Sequence, residues 1–304
     1  MSGTEIERHA DWGGAVWAKG PDAQSFLQGQ FTNDLGSLEE GAVAYGFWLN
    51  RKGKVLLDSY VLKAGPESFL LLSQHGSGEA LFERLEPYII MDEVELEVVG
   101  SGKSAIFLEE GSAADAASRL GLPLPSEGCF VASGLVFGFW IRKAKRRIFA
   151  LVGLDLESVE WGRICALPTM EGARLAVEGW KVGIFEVGPD VWDGDLPQEA
   201  GLVEVGVSFR KGCYLGQEVM ARLKAMGKVR RRMARVSLAG GELSPGTPIA
   251  DSVGKKRGEI RRCLAAGGIW QASAMLDERA MGEELWVERM GGAREAIEIL
   301  EGED

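Results

Sequence analysis

Lys211-Gly212-Cys213-Tyr214-Leu215-Gly216-Gln217-Glu218 packs an ammonium, a thiol, a phenol, an amide and a carboxylate into eight residues around two glycines. Gly212 and Gly216 read as backbone devices. Glycine takes positive φ and lets main chain approach a ligand closely, so the pair implies a tight loop delivering side chains to a cleft. Residues 217–225 have helical composition and stop at Gly227. Cys213 therefore stands just ahead of a helix start and directly after Arg210 and Lys211. Helix N-termini and neighbouring cations both favour a thiolate. A buried, inert cysteine is the plain alternative; the polar residues crowded around Cys213 favour the reactive reading.

Moving outward, residues 210–235 hold nine Lys or Arg against one acid, Glu218, in a chain of net charge −11. The mouth of a site here would be positive, with residues 142–147 and 255–262 adding smaller basic groups. For 255–262 the simpler reading is cations solvating the edges of strands. After Gly227 come short strand-like runs at 229–238, 258–264, 268–276, 284–290 and 293–300, separated by glycine-rich turns. They read as a small antiparallel β-barrel, residues 228–304, following a larger region, 1–227.

Before the loop, residues 23–28 form a helix after the turn Gly20-Pro21-Asp22, with Phe26 and Leu27 on its buried face. Strands are expected at 42–49 and 54–62, joined by a hairpin at 50–53, and again at 68–72. A helix follows at 78–88, a hairpin at 93–108, and a helix at 112–120 stopped by Gly121. Further strands at 129–141 and 148–152 lead into a helix-rich piece, 154–179. Hairpins and helices without regular alternation make the fold class α+β.

The inventory excludes several chemistries. At 304 residues, 46% hydrophobic and 26% charged, the chain is an ordinary globular sequence with length for about two domains. Its start lacks the basic and apolar regions of a secretory signal. The longest nearly uncharged stretch, 128–141, falls short of the roughly 20 residues a bilayer span needs, so a cytoplasmic protein with no membrane partner is expected. Cysteines at 129, 165, 213 and 263 lack the close spacing of metal ligands, and only His9 and His75 are present. No metal site is expected. Gly100-Ser101-Gly102-Lys103-Ser104 looks like the end of a phosphate-binding loop, but the required leading glycine is Glu97.

The octapeptide, with Ser208 and Phe209 before it and Arg222 after it, closely resembles the K-G-C-Y-x-G-Q-E-x-x-x-R segment of the YgfZ family. That family consists of tetrahydrofolate-binding relatives of the glycine cleavage T-protein, associated with iron–sulfur protein maturation and tRNA modification. Phe26-Leu27-Gln28-Gly29-Gln30-Phe31-Thr32-Asn33-Asp34 resembles its F-L-Q-G-Q-x-T-N-D stretch. Leu49-Asn50-Arg51-Lys52-Gly53-Lys54 resembles its L-N-x-K-G-K/R hairpin, and Leu196-Pro197-Gln198-Glu199 its L-P-Q-E.

The resemblance implies a T-protein-like folate-binding region followed by the barrel. It implies tetrahydrofolate, in polyglutamylated form where the positive rim meets the tail, as cofactor. Contacts would come from Asn33, Asp34, Asn50 and Lys52 and from the segment carrying Glu178 and Lys181. The chain departs from the family at Gly179-Trp180-Lys181-Val182-Gly183-Ile184-Phe185, where relatives tend to read R-x-E-A-G-x-P. Lys181 replaces a glutamate that contacts the pterin in the T-protein, and an ammonium does not suit the pterin's N–H donors; Glu178 or Glu186 would have to reach that space. Asp34 reads either as an acid/base or, more ordinarily, as a turn residue.

Two function classes follow. In the first, an accessory factor binds reduced folate and acts on iron–sulfur client or assembly proteins through Cys213, with Lys211, Tyr214, Gln217, Glu218 and Arg222 around it. In the second, a one-carbon (aminomethyl) transferase uses an acid such as Asp34. A third, lesser reading is a binding module that has lost folate. Nucleic acid is expected at most as a transient contact, not as the primary ligand.

Overall fold

The structure, a computed structural model, describes residues 10–100, 104–142, 147–165, 167, 172–266 and 269–300. The chain start, the phosphate-loop-like residues 101–103 and most of the basic group at 142–147 lie outside the described residues. Packing divides the chain into two compact units, each gathered from separate stretches. The first comprises Met1–Leu49, Leu57–Ala176 and Gly206–Leu215, and the second Asn50–Leu56, Val177–Val205 and Gly216–Asp304.

Two five-stranded sheets build the first unit. One runs in the order Val43–Leu49, Val55–Gly65, Ser68–Ser73, Gly14–Lys19, Glu95–Val98. The other runs Ala10–Asp11, Ser104–Leu108, Arg147–Gly153, Val136–Arg142, Phe130–Ser133. Successive strand residues point to opposite faces, and here both faces are buried. Leu70 and Leu72 meet Phe107, Phe139, Ile148 and Val152 in one core. Phe69 and Leu71 turn the other way, onto Phe26, Leu27, Leu81 and Leu85 of the helices Ala23–Gln30 and Gly78–Leu85. In the second sheet Ile106, Leu108, Phe149 and Leu151 pack on Ala113, Ala116, Trp161 and Ile164, from Glu110–Arg119 and Val159–Ile164. This is why these strands are apolar throughout rather than alternating. Each fully buried Leu or Phe contributes about 1.5–3 kcal/mol.

The hairpin expected at 93–108 does not form. Glu95–Val98 pairs with Gly14–Lys19, Val16 facing Val98, whereas Ser104–Leu108 pairs with Arg147–Gly153, Leu108 facing Phe149. Ser104–Leu108 is buried on both faces and serves the interior of one sheet, whereas Glu95–Val98 alternates exposed Glu with half-buried Leu and Val and suits the edge of the other.

Six strands close the barrel of the second unit: Arg231–Leu238, Ile269–Asp277, Lys256–Ala266, Pro248–Ala250, Leu285–Glu288 and Arg294–Leu300. Val236 opposite Ile299 joins the last strand to the first, which removes free edges. Val236, Leu238, Ile249, Ile260, Ala274, Leu285 and Val287 form its core. The architecture is thus α+β, with helices packed on two sheets and a C-terminal antiparallel barrel. Among the described residues no helix is long and apolar enough to cross a membrane.

Candidate functional site

In the first unit the cysteine loop is stitched to the Phe26–Asp34 stretch. The Thr32 hydroxyl donates to the Gly206 carbonyl at 2.6 Å, the Ser208 N–H to Thr32 O at 3.0 Å, and the Leu215 N–H to Gly29 O at 3.1 Å. Lys211 is the central tie. Its ammonium donates to the carbonyl oxygens of Gln28, Phe31 and Asn33 at 2.7, 2.6 and 2.9 Å and lies 5.0 Å from the centre of the Tyr214 ring. Burial pulls the Lys211 pKa down to about 8, against the opposing pull of the Asp34 charge. Tyr214 is buried too, and burial pushes its phenol up to about 12, so it stays protonated at neutral pH. Lys211 and Tyr214 are therefore anchors, and Cys213 between them is exposed.

The two glycines behave differently. Gly216 lies in the left-handed region, φ 87°, where it opens the helix Gln217–Met226. Gly212 has no positive φ, and a Cβ there would meet nothing within 4 Å. Its backbone does not require glycine; it leaves open space beside the thiol.

Asn33 and Asp34 shape their own turn. The Asn33 amide donates to the Tyr45 carbonyl at 2.8 Å. Asp34 accepts from Gln28 Nε2 at 2.8 Å, the Gly36 N–H at 3.0 Å and the Ser37 hydroxyl at 2.9 Å. Burial would raise the Asp34 pKa, but these hydrogen bonds and the Lys211 charge outweigh it and hold the carboxyl below its ordinary value. The ordinary turn reading of Asp34 thus accounts for its surroundings. Arg84, buried on Gly78–Leu85, adds a further tie, donating to Leu49 O at 2.6 Å and Gln30 Oε1 at 3.2 Å.

A cluster in the same unit escaped the sequence reading. Asp58 is buried, and the Tyr45 hydroxyl donates to its Oδ2 at 2.8 Å, while Ser73 Oγ lies 3.5 Å from Oδ1. Tyr45 packs on Tyr60 at 4.9 Å between ring centres, Tyr60 on Phe139 at 5.1 Å, and Trp12 on Tyr60 at 6.5 Å. Trp12 is 3% exposed and its indole N–H has no acceptor among the described residues. A buried donor left unpaired costs about 1–3 kcal/mol, so the cluster combines a carboxylate acceptor, an unsatisfied donor and aromatic faces. No local motif marks it, because Tyr45 and Asp58 lie on different strands.

The remaining candidates fall in the second unit. The Asn50 side chain accepts from the N–H groups of Lys52 and Lys54 at 2.9 and 3.1 Å, folding its hairpin, and Lys52 is exposed. Gly53, φ 71°, backs onto the helix Gln217–Met226; a Cβ there would come within 2.9 Å of Val219 Cβ. On that helix Glu218 and Arg222 are exposed and Gln217 is half-buried. Glu178 is half-buried and Lys181 exposed on Gly172–Lys181, whose last carbonyl, of Lys181, accepts from Arg235. So the structure brings Asn33, Asp34 and Lys211 together in the first unit, and the Asn50 hairpin and the Gln217 helix together in the second.

At least four of the nine cations at 210–235 are engaged internally. Besides Lys211 and Arg235, Arg231 pairs with Asp195 at 3.0 Å and Glu199 at 2.9 Å, and Arg232 with Glu278 at 3.2 Å. Arg261, 3% exposed, also reaches Asp195 at 3.0 Å and lies 4.0 Å from the centre of the Trp192 ring. The L-P-Q-E segment is thereby fixed, with Glu199 also accepting the Leu196 N–H at 2.8 Å. Among the described residues no three His, Cys, Asp or Glu side chains form a metal-binding group.

Residues 13–120 match the family described as the GCVT N-terminal domain. The glycine cleavage system aminomethyltransferase T from Bartonella henselae gives a TM-score of 0.78 over 95% of this chain and 82% of that one, at 17% identity. Sandwich, barrel and this likeness define the class, a GcvT-like fold. The tRNA-modifying protein YgfZ of Vibrio vulnificus is 27% identical over 77% of this chain and 70% of its own length. That of Edwardsiella ictaluri is 31% identical over 70% of this chain and 65% of its own. The human mitochondrial iron-sulfur cluster assembly factor IBA57 is 29% identical over 82% and 75%. These matches make the chain similar to the YgfZ family over most of its length.

Proposed function

We propose that this protein is a reduced-folate-binding accessory factor that supports iron–sulfur cluster assembly or repair, and through it tRNA modification, using Cys213 on a client's cluster. The observation that carries the reading is the presentation of the thiol: exposed, with open space at Gly212, on a loop tied down at Lys211 and Leu215. Relatives named for tRNA modification and for iron–sulfur cluster assembly support the same coarse role.

Tetrahydrofolate suits the Asp58 cluster. A pterin is flat, offers N–H donors to a carboxylate and a carbonyl acceptor to a donor such as the Trp12 indole, and stacks on rings like Tyr45 and Tyr60. Asp58 supplies the carboxylate that Lys181 removes from the family pattern. When bound, the folate would bring one-carbon chemistry; the chain's own part is to bind and orient it.

A transferase remains the second reading, favoured by one observation, the buried Asp58 carboxylate, since Asp34 is committed to its turn. The test is Cys213→Ala in cells lacking the protein. The accessory reading expects loss of iron–sulfur enzyme activities with tetrahydrofolate binding retained. Full rescue by the variant, or one-carbon transfer to tetrahydrofolate at an enzymatic rate by the purified parent, would overturn it.

A further inference from the structure

An unbroken series of hydrogen bonds runs from the Asp58 cluster to the cysteine loop inside the first unit. The Tyr45 hydroxyl donates to Asp58 Oδ2 at 2.8 Å. The Tyr45 carbonyl accepts the Asn33 amide at 2.8 Å. The Asn33 carbonyl in turn accepts the Lys211 ammonium at 2.9 Å, two residues before Cys213. Each residue faces one neighbour with its side chain and the other with its backbone, so a shift of Tyr45 displaces the Asn33 carbonyl.

The ammonium has little slack to absorb such a shift. It is shared among three carbonyls from one short segment and packed on the Tyr214 ring. Moving one carbonyl changes the geometry of all three charge-assisted bonds. A ligand donating to Asp58 competes with the Tyr45 hydroxyl for the same carboxylate, which gives it a differential interaction with the two arrangements; without one, no ligand shifts an equilibrium.

We infer that Lys211 is a positioning residue that couples the Asp58 cluster to Cys213, so that binding of reduced folate at the cluster is read at the thiol through Tyr45, Asn33 and Lys211. This rests on the Asp58 cluster being the folate pocket. Ligand takes the place of the Tyr45 hydroxyl on Asp58, Tyr45 shifts together with the Asn33 turn, the carbonyl cage around the ammonium is redrawn, and the thiol becomes less accessible to reagents.

The experiment is iodoacetamide alkylation of Cys213, followed by peptide mapping, with and without saturating tetrahydrofolate, while tryptophan fluorescence reports binding. In the parent, ligand should slow alkylation by about five-fold or more, a usual coupling. In Lys211→Met, and in Asn33→Ala should the first variant not fold, the same saturation should leave the rate nearly unchanged. An unchanged parental rate with ligand bound overturns the coupling and leaves the folate reading intact. Slowing that persists in the variant read means that the ligand shields the thiol directly, which also overturns it. Absence of binding to the parent removes the folate reading and this inference with it.

Discussion

The Lys211 ammonium donates to the Phe31 carbonyl oxygen at 2.6 Å across 180 positions of sequence. A lysine held this way is a tethered cation filling a nest of carbonyls, and it fixes the loop on either side of it. Its cost is desolvation, and the direction of its pKa carries a consequence for stability.

Between the folded pKa of about 8 and the ordinary 10.5, the unfolded chain keeps a proton that folded Lys211 has released. Stability rises with pH wherever the unfolded state binds more protons. The contribution of Lys211 should therefore be least favourable below pH 8 and improve as pH climbs through that window. Urea denaturation of the parent and of Lys211→Met from pH 7 to 10 checks this: the difference between them should move in the parent's favour above pH 8. A difference that stays flat would show that the ammonium is not buried as described.

Exposure sets the order of cysteine reactivity. Cys213 is exposed whereas Cys129, Cys165 and Cys263 are partly buried. Burial pushes the Cys263 thiol up, with Glu242 adding to it, against the Leu243 N–H and Arg289. Alkylation at neutral pH should label Cys213 first, faster than Cys263 by about ten-fold or more. Equal labelling of the four would remove the reactive-loop argument.

In the second unit Asp195 accepts from both Arg231 and Arg261 while it and Arg261 are each 3% exposed. Removing one partner of a buried charge pair leaves the other uncompensated, at about 3–5 kcal/mol. Asp195→Ala should lower stability by that order in urea denaturation, since among the described residues Arg261 would keep one carboxylate, Glu259 at 3.4 Å, beside the Trp192 ring. A loss under about 1 kcal/mol, the range of exposed pairs, would mean the network is solvated.

What the sequence made legible was local. The turn at Gly20-Pro21-Asp22, the helix stop at Gly227 and the hairpin at 50–53 each rest on residues within a few positions of one another, and each stands in the structure. Barrel strands were readable by the same means, except Pro248–Ala250, three residues long and begun by a proline. Pairing was less legible: Glu95–Val98 and Ser104–Leu108 were both visible as strands, but neither the alternation of the first nor the apolar run of the second says which sheet a strand joins.

The site divides along the same line. Cys213 and its glycines were visible as a motif, and the structure adds which of them carry geometry. Lys211 looked like a cation for the thiol; only the fold reveals the carbonyls it is bound to. For Arg231 and Arg232, within the basic stretch 210–235, the sequence shows charges without their partners, since Asp195, Glu199 and Glu278 are distant in the chain. Asp58 was invisible as a site residue because its neighbours Tyr45, Ser73 and Trp12 come from other strands or from the segment before them.

Asp58 is also where the folate reading is most directly exposed to test. Its carboxylate is buried and takes the Tyr45 hydroxyl; the Tyr45 ring packs on Tyr60, and Tyr60 in turn on Trp12, whose buried indole N–H is unsatisfied among the described residues. Hydrogen bonds to a charged group are worth about 1.5–3 kcal/mol, so losing one weakens binding by roughly ten-fold to more than a hundred-fold. Asp58→Asn preserves shape and can still accept from Tyr45, so the ligand-free protein should melt close to the parent. Tetrahydrofolate affinity, read by tryptophan fluorescence, should fall by at least that ten-fold, whereas Cys213→Ala should bind as the parent does. If Asp58→Asn binds tetrahydrofolate as tightly as the parent, the pterin does not sit on this carboxylate, and the pocket must be sought among the second-unit candidates around Asn50 and Glu178.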